Sequence, residues 1–436
     1  MNPTIAIIGK PNVGKSTLFN RLIGKRKAIV SPVEGVTRDR IFDVMDWAGK
    51  KYNLIDTGGY LPNSEDKIEK AVRNQAEIAF SEADFIIFLL DGQSEISSSD
   101  RHLAELIKKN DKPFSLIINK IDDTTHEEKL YSFYELGLGD PIHISAIGGR
   151  NMGDFLDQIC LKIPEKQKKD KDYSDFLNLA IVGMPNVGKS SLMNSLLNEE
   201  KSIVTEIAGT TRDAVDSYLT YFNQTIRLID TAGLRKKSKV DDSVEFYSTV
   251  RTQKIIQECD IALVLLDAEK GLGAQDKAVI RNVITWGKGL VIVVNKWDTI
   301  KKDHQTMKEY VEDLHYKYKY TRHFPVLFIS VLKNQRTYSV LSEAIKVNEQ
   351  YQKKIKTNDL NEFLDYVQYN YPPPAIKGKN LKIKYGTQVH HSPPIFAFFC
   401  NYPDLYPEQY KRYLENQIRD KFGFEGVPIK ISFRKK

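Results

Sequence analysis

Long apolar runs are missing from this chain. None approaches the roughly 18 residues that a membrane-spanning helix needs, and stretches such as Phe85 to Leu90 or Ile261 to Leu266 read as buried strands instead. Cysteine is scarce as well. Cys160, Cys259 and Cys400 are scattered, odd in number and free of any C-x-x-C, which argues against a disulfide framework and leaves reduced thiols acting as small buried hydrophobes. The first apolar stretch begins by Thr4, leaving no room for a targeting segment, so a soluble cytoplasmic protein with no membrane partner is expected. Excess charge is absent from most of the chain too. Residues 351–436 carry 15 Lys and Arg against 8 Asp and Glu and so hold the whole formal net charge of +7. A localized basic excess points to a polyanionic partner, with a solvated charged surface as the plain alternative.

What is present comes twice. Gly9-Lys10-Pro11-Asn12-Val13-Gly14-Lys15-Ser16 fits G-x-x-x-x-G-K-[ST], and Gly183-Met184-Pro185-Asn186-Val187-Gly188-Lys189-Ser190 fits it again, 174 residues later. Each copy follows a short apolar run and precedes a helical pattern, the strand-loop-helix context of a phosphate-binding loop. The same offset of 174 separates Thr37 from Thr211, and Asp56-Thr57-Gly58-Gly59 from Asp230-Thr231-Ala232-Gly233. Asn119-Lys120-Ile121-Asp122 recurs as Asn295-Lys296-Trp297-Asp298, with an offset of 176. A repeat this long is a duplicated domain rather than a solenoid unit.

Residues 1–164 alternate strands (near Thr4–Ile8, Lys51–Ile55, Phe85–Leu90, Phe114–Ile118 and Pro141–Ile144) with amphipathic helices, which predicts an α/β domain with a mostly parallel sheet covered by helices on both faces. Residues 165–177 read as a charged linker, with almost no apolar content from Glu165 to Asp175, and 178–348 repeat the first pattern. Residues 349–436 do not. Helices over Asp359–Asn370 and Pro407–Phe422, with strands over Leu381–Val389, Ile395–Cys400 and Val427–Phe433, predict a small α+β domain with its helices on one side of a sheet.

The chemistry follows from the residue types. Glycines let backbone N–H groups curl round phosphates at a helix N-terminus, Lys15 and Lys189 reach the β and γ phosphates, and Ser16 and Ser190 offer hydroxyls to Mg²⁺. Asp56 and Asp230 end apolar strands, where a carboxylate can hold a Mg²⁺ water; Gly59 and Gly233 offer an N–H to the γ-phosphate. Thr37 and Thr211 are expected as second hydroxyl ligands that let go when that phosphate leaves, making their loops switches. N-K-x-D selects guanine. Asp122 or Asp298 accepts two hydrogen bonds, from N1–H and the 2-amino group, and adenine supplies neither. Asn119 and Asn295 tie the base edge to the phosphate loop, the stems of Lys120 and Lys296 pack on its face, and Ser145-Ala146 and Ser330-Val331 offer a backbone N–H to guanine O6. Two GTP/GDP sites are expected.

Together with D-T-A-G-L-R-K-K-S-K-V at Asp230 to Val240, V-E-F-Y-S-T-V-R-T at Val244 to Thr252 and Y-K-R-Y-L-E-N-Q-I-R at Tyr410 to Arg419, these motifs resemble the tandem GTPase family called Der or EngA along essentially the whole chain. The resemblance implies two P-loop G domains and a KH-like C-terminal domain, in a ribosome-assembly factor that binds ribosomal RNA and the large ribosomal subunit and is monomeric off the ribosome. Glu34 and Ala208 stand where the family's switch loops carry Pro, and Val331 where it carries Ala. Tyr60 and Leu234 occupy the place of a water-orienting Gln, so intrinsic hydrolysis is expected to be slow. Asn12 and Asn186 resemble the phosphate-loop Asn of potassium-activated GTPases, which implies K⁺ near the β and γ phosphates; a role in shaping the loop is the alternative. In the last domain Gly423-Phe424-Glu425-Gly426 matches the KH G-x-x-G pattern but reads as a helix cap and turn. Lys377, Lys379, Lys382, Lys384, Lys411, Arg412 and Arg419 are the RNA candidates, with Arg235, Lys236, Lys237 and Lys239 beside the second switch. A tRNA-modification GTPase, with a single G domain and a near-terminal reactive Cys, and a membrane-associated scaffold GTPase, with an apolar anchor, are the rival readings.

Overall fold

The computed structural model describes residues 2–24, 42–57, 79–80, 82–122, 124–164, 176–197, 203–204, 216–222, 224–229, 243–301, 303, 305–376 and 378–435. Among them no helix is long and apolar enough to cross a membrane. The chain forms two compact units, Met1–Lys171 with Lys239–Gln253 and Asp172–Ser238 with Lys254–Lys436.

In the first unit β1 (Thr4–Ile8), β3 (Lys50–Asp56), β4 (Phe85–Asp91), β5 (Phe114–Asn119) and β6 (Ile142–His143) run parallel, with β2 (Phe42–Trp47) antiparallel on the β3 edge, in the order β2-β3-β1-β4-β5-β6. Strands buried on both faces are apolar at nearly every position, which is why TIAII and FIIFLL carry no alternation. Ile5, Ile7, Phe85, Ile87, Leu89 and Ile117 pack on α1 (Lys15–Ile23) through Leu18, Phe19 and Leu22. The intervening Ala6, Ile8, Ile86, Phe88 and Leu90 are equally buried, as are Leu103, Ala104 and Ile107 of α2 (Ser98–Lys108). A further helix, α3 (Met152–Lys162), adds Phe155 and Ile159 to the α1 side. The β2 strand was not expected. Its sequence FDVMDW mixes two acids with apolar residues and has no unbroken apolar run to announce it.

The second unit repeats this sheet as β13-β12-β11-β7-β10-β9-β8, from β7 (Leu177–Gly183), β8 (Ile203–Val204), β9 (Ser217–Tyr221), β10 (Gln224–Leu228), β11 (Ile261–Asp267), β12 (Gly289–Asn295) and β13 (Val326–Phe328), with β8 and β9 as the antiparallel edge. Period-2 geometry divides its strands between two cores. Leu179, Ile181, Leu263, Leu265, Val291 and Val293 face α4 (Lys189–Leu197), while Ala180, Val182, Val264, Leu266 and Ile292 share a core with Ile256 at the end of α5 (Ser243–Glu258) and with Ile280 and Val283 of α6 (Ala274–Trp286). Two residues assigned to the linker belong here, since Leu177 opens β7 and Phe176 meets Tyr218 edge-on. On the α6 side α7 (Thr306–Lys317) adds Leu314 to the same core, and α8 (Ser339–Tyr351) closes the α4 side through Val340, Leu341 and Ala344.

The last residues form β14 (Ile383–His391), β15 (Pro394–Cys400) and β16 (Lys430–Lys435), with β14 antiparallel and β16 parallel to β15. Two helices, α9 (Thr357–Asn370) and α10 (Glu408–Phe422), share one core with this sheet through Leu360, Leu364, Phe396, Phe398, Leu414 and Ile418. Pro407 is the N-cap of α10 and Gly423, at φ +86°, its C-cap. The final strand begins later than Val427. That residue enters the core of the second sheet, because the Gly426 N–H donates to His323 O at 2.7 Å and its carbonyl accepts from Leu290 N–H at 2.8 Å. Gly423 to Gly426 is thus a turn seated on the neighbouring sheet within the same unit. Arg419 also differs from expectation. Its side chain is 8% exposed and bonds Glu415 and the Phe424 and Val427 carbonyls, so it braces that turn rather than facing outward.

Candidate nucleotide sites

The phosphate loop at Gly9–Ser16 leaves β1 and enters α1 with backbone angles that only certain residues adopt. Asn12 has φ 65° and Gly14 φ 96°; Asn186 and Gly188 repeat this at 64° and 99°. Asn tolerates the left-handed region better than other side-chain-bearing residues, and Gly meets no steric cost there. Gly14 is required for a second reason. A Cβ at this position stands 2.3 Å from Asn119 Nδ2, and one at Gly188 stands 2.3 Å from Asn295 Nδ2. These asparagines occupy the space. Asn119 Nδ2 donates to Val13 O at 2.8 Å, and its Oδ1 accepts from Ala146 N–H at 2.9 Å. Asn295 does the same with Val187 O, 2.8 Å, and Val331 N–H, 3.1 Å. Each Asn side chain therefore joins three loops. The Ala146 and Val331 N–H groups, expected to meet guanine O6, donate here to the asparagines.

The lysines lie in cradles of carbonyls. Lys15 Nζ donates to Gly9 O at 2.7 Å and Lys10 O at 2.8 Å; Lys189 Nζ donates to Gly183 O at 2.9 Å and Met184 O at 2.6 Å. Burial pushes both ammonium groups down to about 8, opposed at Lys15 by the nearby Asp56. Ser16 Oγ donates to Asp56 Oδ2 at 2.7 Å, and Thr57 Oγ1 to Ile7 O at 2.6 Å, so two predicted oxygen ligands of a metal converge beside the loop.

On the base side, Ser145 Oγ donates to Asp122 Oδ1 at 2.6 Å and accepts from Gly148 N–H at 2.8 Å, which orients a solvent-facing carboxylate. Ser330 Oγ likewise accepts from Lys333 N–H at 3.1 Å. Lys120 and Lys296 adopt φ 68° and 63°, a rare conformation for a lysine and here a repeated one. In the first domain, Pro11, Asn12, Ser16, Lys120, Asp122 and Ser145 surround a cavity of about 570 Å³. Asp298 follows β12 and is half-buried. Gly58, Gly59, Thr37, Tyr60, Thr211, Asp230, Thr231, Ala232, Gly233 and Leu234 lie outside the described residues, as do Lys377 and Arg235 to Lys239.

Sequence reasoning missed Asp91 and Asp267. They end β4 and β11, and each carboxylate holds the motif lysine at 2.6 Å, Lys120 to Asp91 and Lys296 to Asp267. Burial pushes the Asp267 carboxyl up, but the Lys296 ammonium and neighbouring backbone N–H groups outweigh it and hold the group below the usual range. The signal was available, because Asp91 and Asp267 stand 176 residues apart, the offset of N-K-x-D itself.

Comparison with known proteins agrees with this geometry. Residues 4–120 and 178–296 match the family described as 50S ribosome-binding GTPase, and residues 354–434 match the KH-domain-like C-terminal domain of EngA bacterial GTPase enzymes. GTPase Der of Clostridium perfringens (strain SM101 / Type A) is 45% identical over 432 residues, 99% of this chain and 98% of that protein. GTPase Der of Christiangramia forsetii is 45% identical over 436 residues, the full length of both. The chain belongs to the GTPase Der family. As a Der GTPase it binds GTP and GDP and hydrolyses GTP. The three-stranded unit of α9, α10 and β14 to β16 coincides with the family's KH-like segment. Its Lys382 lies just before β14, and Lys384 sits at a register shift between Ile383 and Tyr385; both are exposed. The two lysines alternate with the buried Leu381 and Ile383, ahead of the residues whose pairing resumes at Tyr385.

Proposed function

We propose that this chain uses two guanine-nucleotide sites as a conformational switch in the assembly of the large ribosomal subunit, acting in the cytoplasm through RNA contacts of its C-terminal domain. The observation that carries the reading is the repeated Asn bridge, in which Asn119 and Asn295 tie each phosphate loop to each base-reading loop through the same two hydrogen bonds. A site built this way senses phosphate and base together. In it, Lys15 and Lys189 exchange loop carbonyls for phosphate oxygens, and Asp122 and Asp298 read the guanine N1–H and 2-amino group. The hydroxyl of Ser16 and the carboxylate of Asp56 form a hard-oxygen donor set suited to Mg²⁺, which supplies charge neutralisation at the β and γ phosphates when bound; Ser190 is its counterpart. Asn12 and Asn186 are the candidates for contact with K⁺. Thr37, Thr211, Gly59 and Gly233 are the residues whose detachment on γ-phosphate loss relaxes the switch loops.

Two experiments test this reading. Replacing Asp298 by Asn exchanges an acceptor of two N–H groups for one acceptor and one donor, the pattern of xanthine, so the second site should lose GTP and gain XTP; Asp122→Asn should do the same at the first. Sedimentation with purified ribosomal subunits under GTP and GDP should give nucleotide-dependent association with the large subunit. Equal association in both states, or none, overturns the ribosomal role while leaving the nucleotide chemistry standing.

A further inference from the structure

The two phosphate loops differ at their second residue, Lys10 in one and Met184 in the other, and the structure gives that difference a consequence. Lys10 Nζ lies 2.9 Å from Asp100 Oδ2 in α2, with the two side chains 21% and 2% exposed. Asp100 is itself fixed. Its Oδ2 accepts from Ser97 N–H at 3.0 Å and Ser97 Oγ at 2.6 Å, and the Asp100 N–H donates to Ser97 Oγ at 3.3 Å, which completes a capping box at the start of α2. Second-domain geometry keeps the acid and drops the cation. Asp276 stands at the same place in α6, 176 residues on, with Oδ2 accepting from Gly273 N–H at 3.0 Å, but Met184 brings no charge to it.

We propose that the Lys10–Asp100 ion pair is a latch that holds the first phosphate loop against α2 and slows nucleotide release from the first site, a restraint that the second site lacks. Lys10 is a positioning residue in this role. Its carbonyl is one of the two acceptors that hold Lys15 Nζ, so anchoring the Lys10 side chain to a helix end fixes the cradle of the phosphate-binding lysine. The same helix follows the loop that begins at Asp91, which grips Lys120 at the base side. Phosphate and base loops therefore share one anchorage in the first domain. An exposed ion pair contributes little, but this one rests on a nearly buried carboxylate already oriented by two donors, and removing the cation leaves that carboxylate short of a partner. A preorganised loop also loses less freedom on binding.

The proposal rests on the reading of Gly9–Ser16 as a phosphate loop. It is tested by stopped-flow release of a fluorescent GDP from the full chain carrying Asp298→Asn, so that guanine reports the first site. Lys10→Met should raise the release rate about threefold to tenfold, Lys10→Arg should restore it to within about twofold, and Asp100→Asn should raise it without adding to Lys10→Met in the double variant. Lys15→Ala, which removes the phosphate contact itself, should abolish first-site binding. Retained binding in Lys15→Ala overturns the site reading and the latch with it. Loss there combined with an unchanged rate in Lys10→Met, or with additive single effects, overturns the latch alone.

Discussion

Nucleotide affinity at both sites should fall as pH rises through 8, and the size of the fall follows from the buried lysines. Burial lowers Lys15 and Lys189 from an ordinary 10.5 to about 8 in the nucleotide-free arrangement, where backbone carbonyls accept from each ammonium and Asp56 near Lys15 only partly opposes the shift. Phosphate oxygens favour the charged form, so binding raises the lysine's pKa and draws in a proton wherever the free site has lost one. With a free-site value of about 8, the deprotonated fraction is about 0.1 at pH 7 and about 0.75 at pH 8.5. Affinity therefore drops about fourfold per site across that interval, and binding takes up about 0.75 proton per site at its upper end. Stability of the unliganded protein moves the opposite way. A base whose folded pKa is lowered binds more protons when unfolded, so between about 8 and 10.5 these two lysines make the free fold gain stability with pH. Calorimetry of GDP binding in buffers of different ionisation enthalpy measures the proton uptake directly. A flat affinity from pH 7 to about 8.5 with no uptake refutes the claim that an ammonium deprived of solvent is the group that meets the phosphates.

Three further outcomes are expected. Gly188→Ala places a methyl 2.3 Å from Asn295 Nδ2 at φ 99°, so second-site GTP affinity should fall at least about tenfold while circular dichroism reports an intact sheet; unchanged affinity in equilibrium dialysis breaks the link between loop and base. Exchange of Na⁺ for K⁺ at matched ionic strength should raise GTP turnover, and Asn186→Gly should blunt the rise, because Gly keeps the left-handed backbone at φ 64° while removing the amide; equal phosphate release in the two salts counts against potassium. Lys382→Glu with Lys384→Glu should weaken RNA binding and flatten its log–log salt dependence by about 1.4 for a single strand, read by filter binding, whereas Arg419→Ala should cost about 2 kcal/mol of stability in a denaturant titration, because its bonds are internal.

Much of the architecture was legible because buried parallel strands leave unbroken apolar runs, and β1, β4, β5 and β11 all stand where those runs predicted. Edges were harder. The antiparallel β2 and β9 mix buried apolar residues with polar ones, and their sequences FDVMDW and SYLTY carry a weak signal. Val427 shows a different limit, since an apolar residue beside a strand announces that it is buried without saying in which core, and its core is the second sheet. Arg419 was misread for a related reason. Counting charge along a helix finds cations but not the carbonyls of Phe424 and Val427 that one of them serves. The contact of Gly14 with Asn119 was beyond reach from sequence, because no local pattern places one motif inside the other's van der Waals radius.

Duplication supplies a control that a single domain lacks. Where the two copies share a contact despite much divergence between them, the contact belongs to the common machinery, and the Asn bridges, the lysine cradles and the carboxylates of Asp91 and Asp267 are of this kind. Where the copies differ at one residue in an otherwise repeated setting, the difference isolates a property of one site. Lys10 against Met184 is such a case, with Asp100 and Asp276 kept at the same place in both domains. On the proposed latch the two loops carry unequal restraints, and the two copies should then differ in their nucleotide release rates.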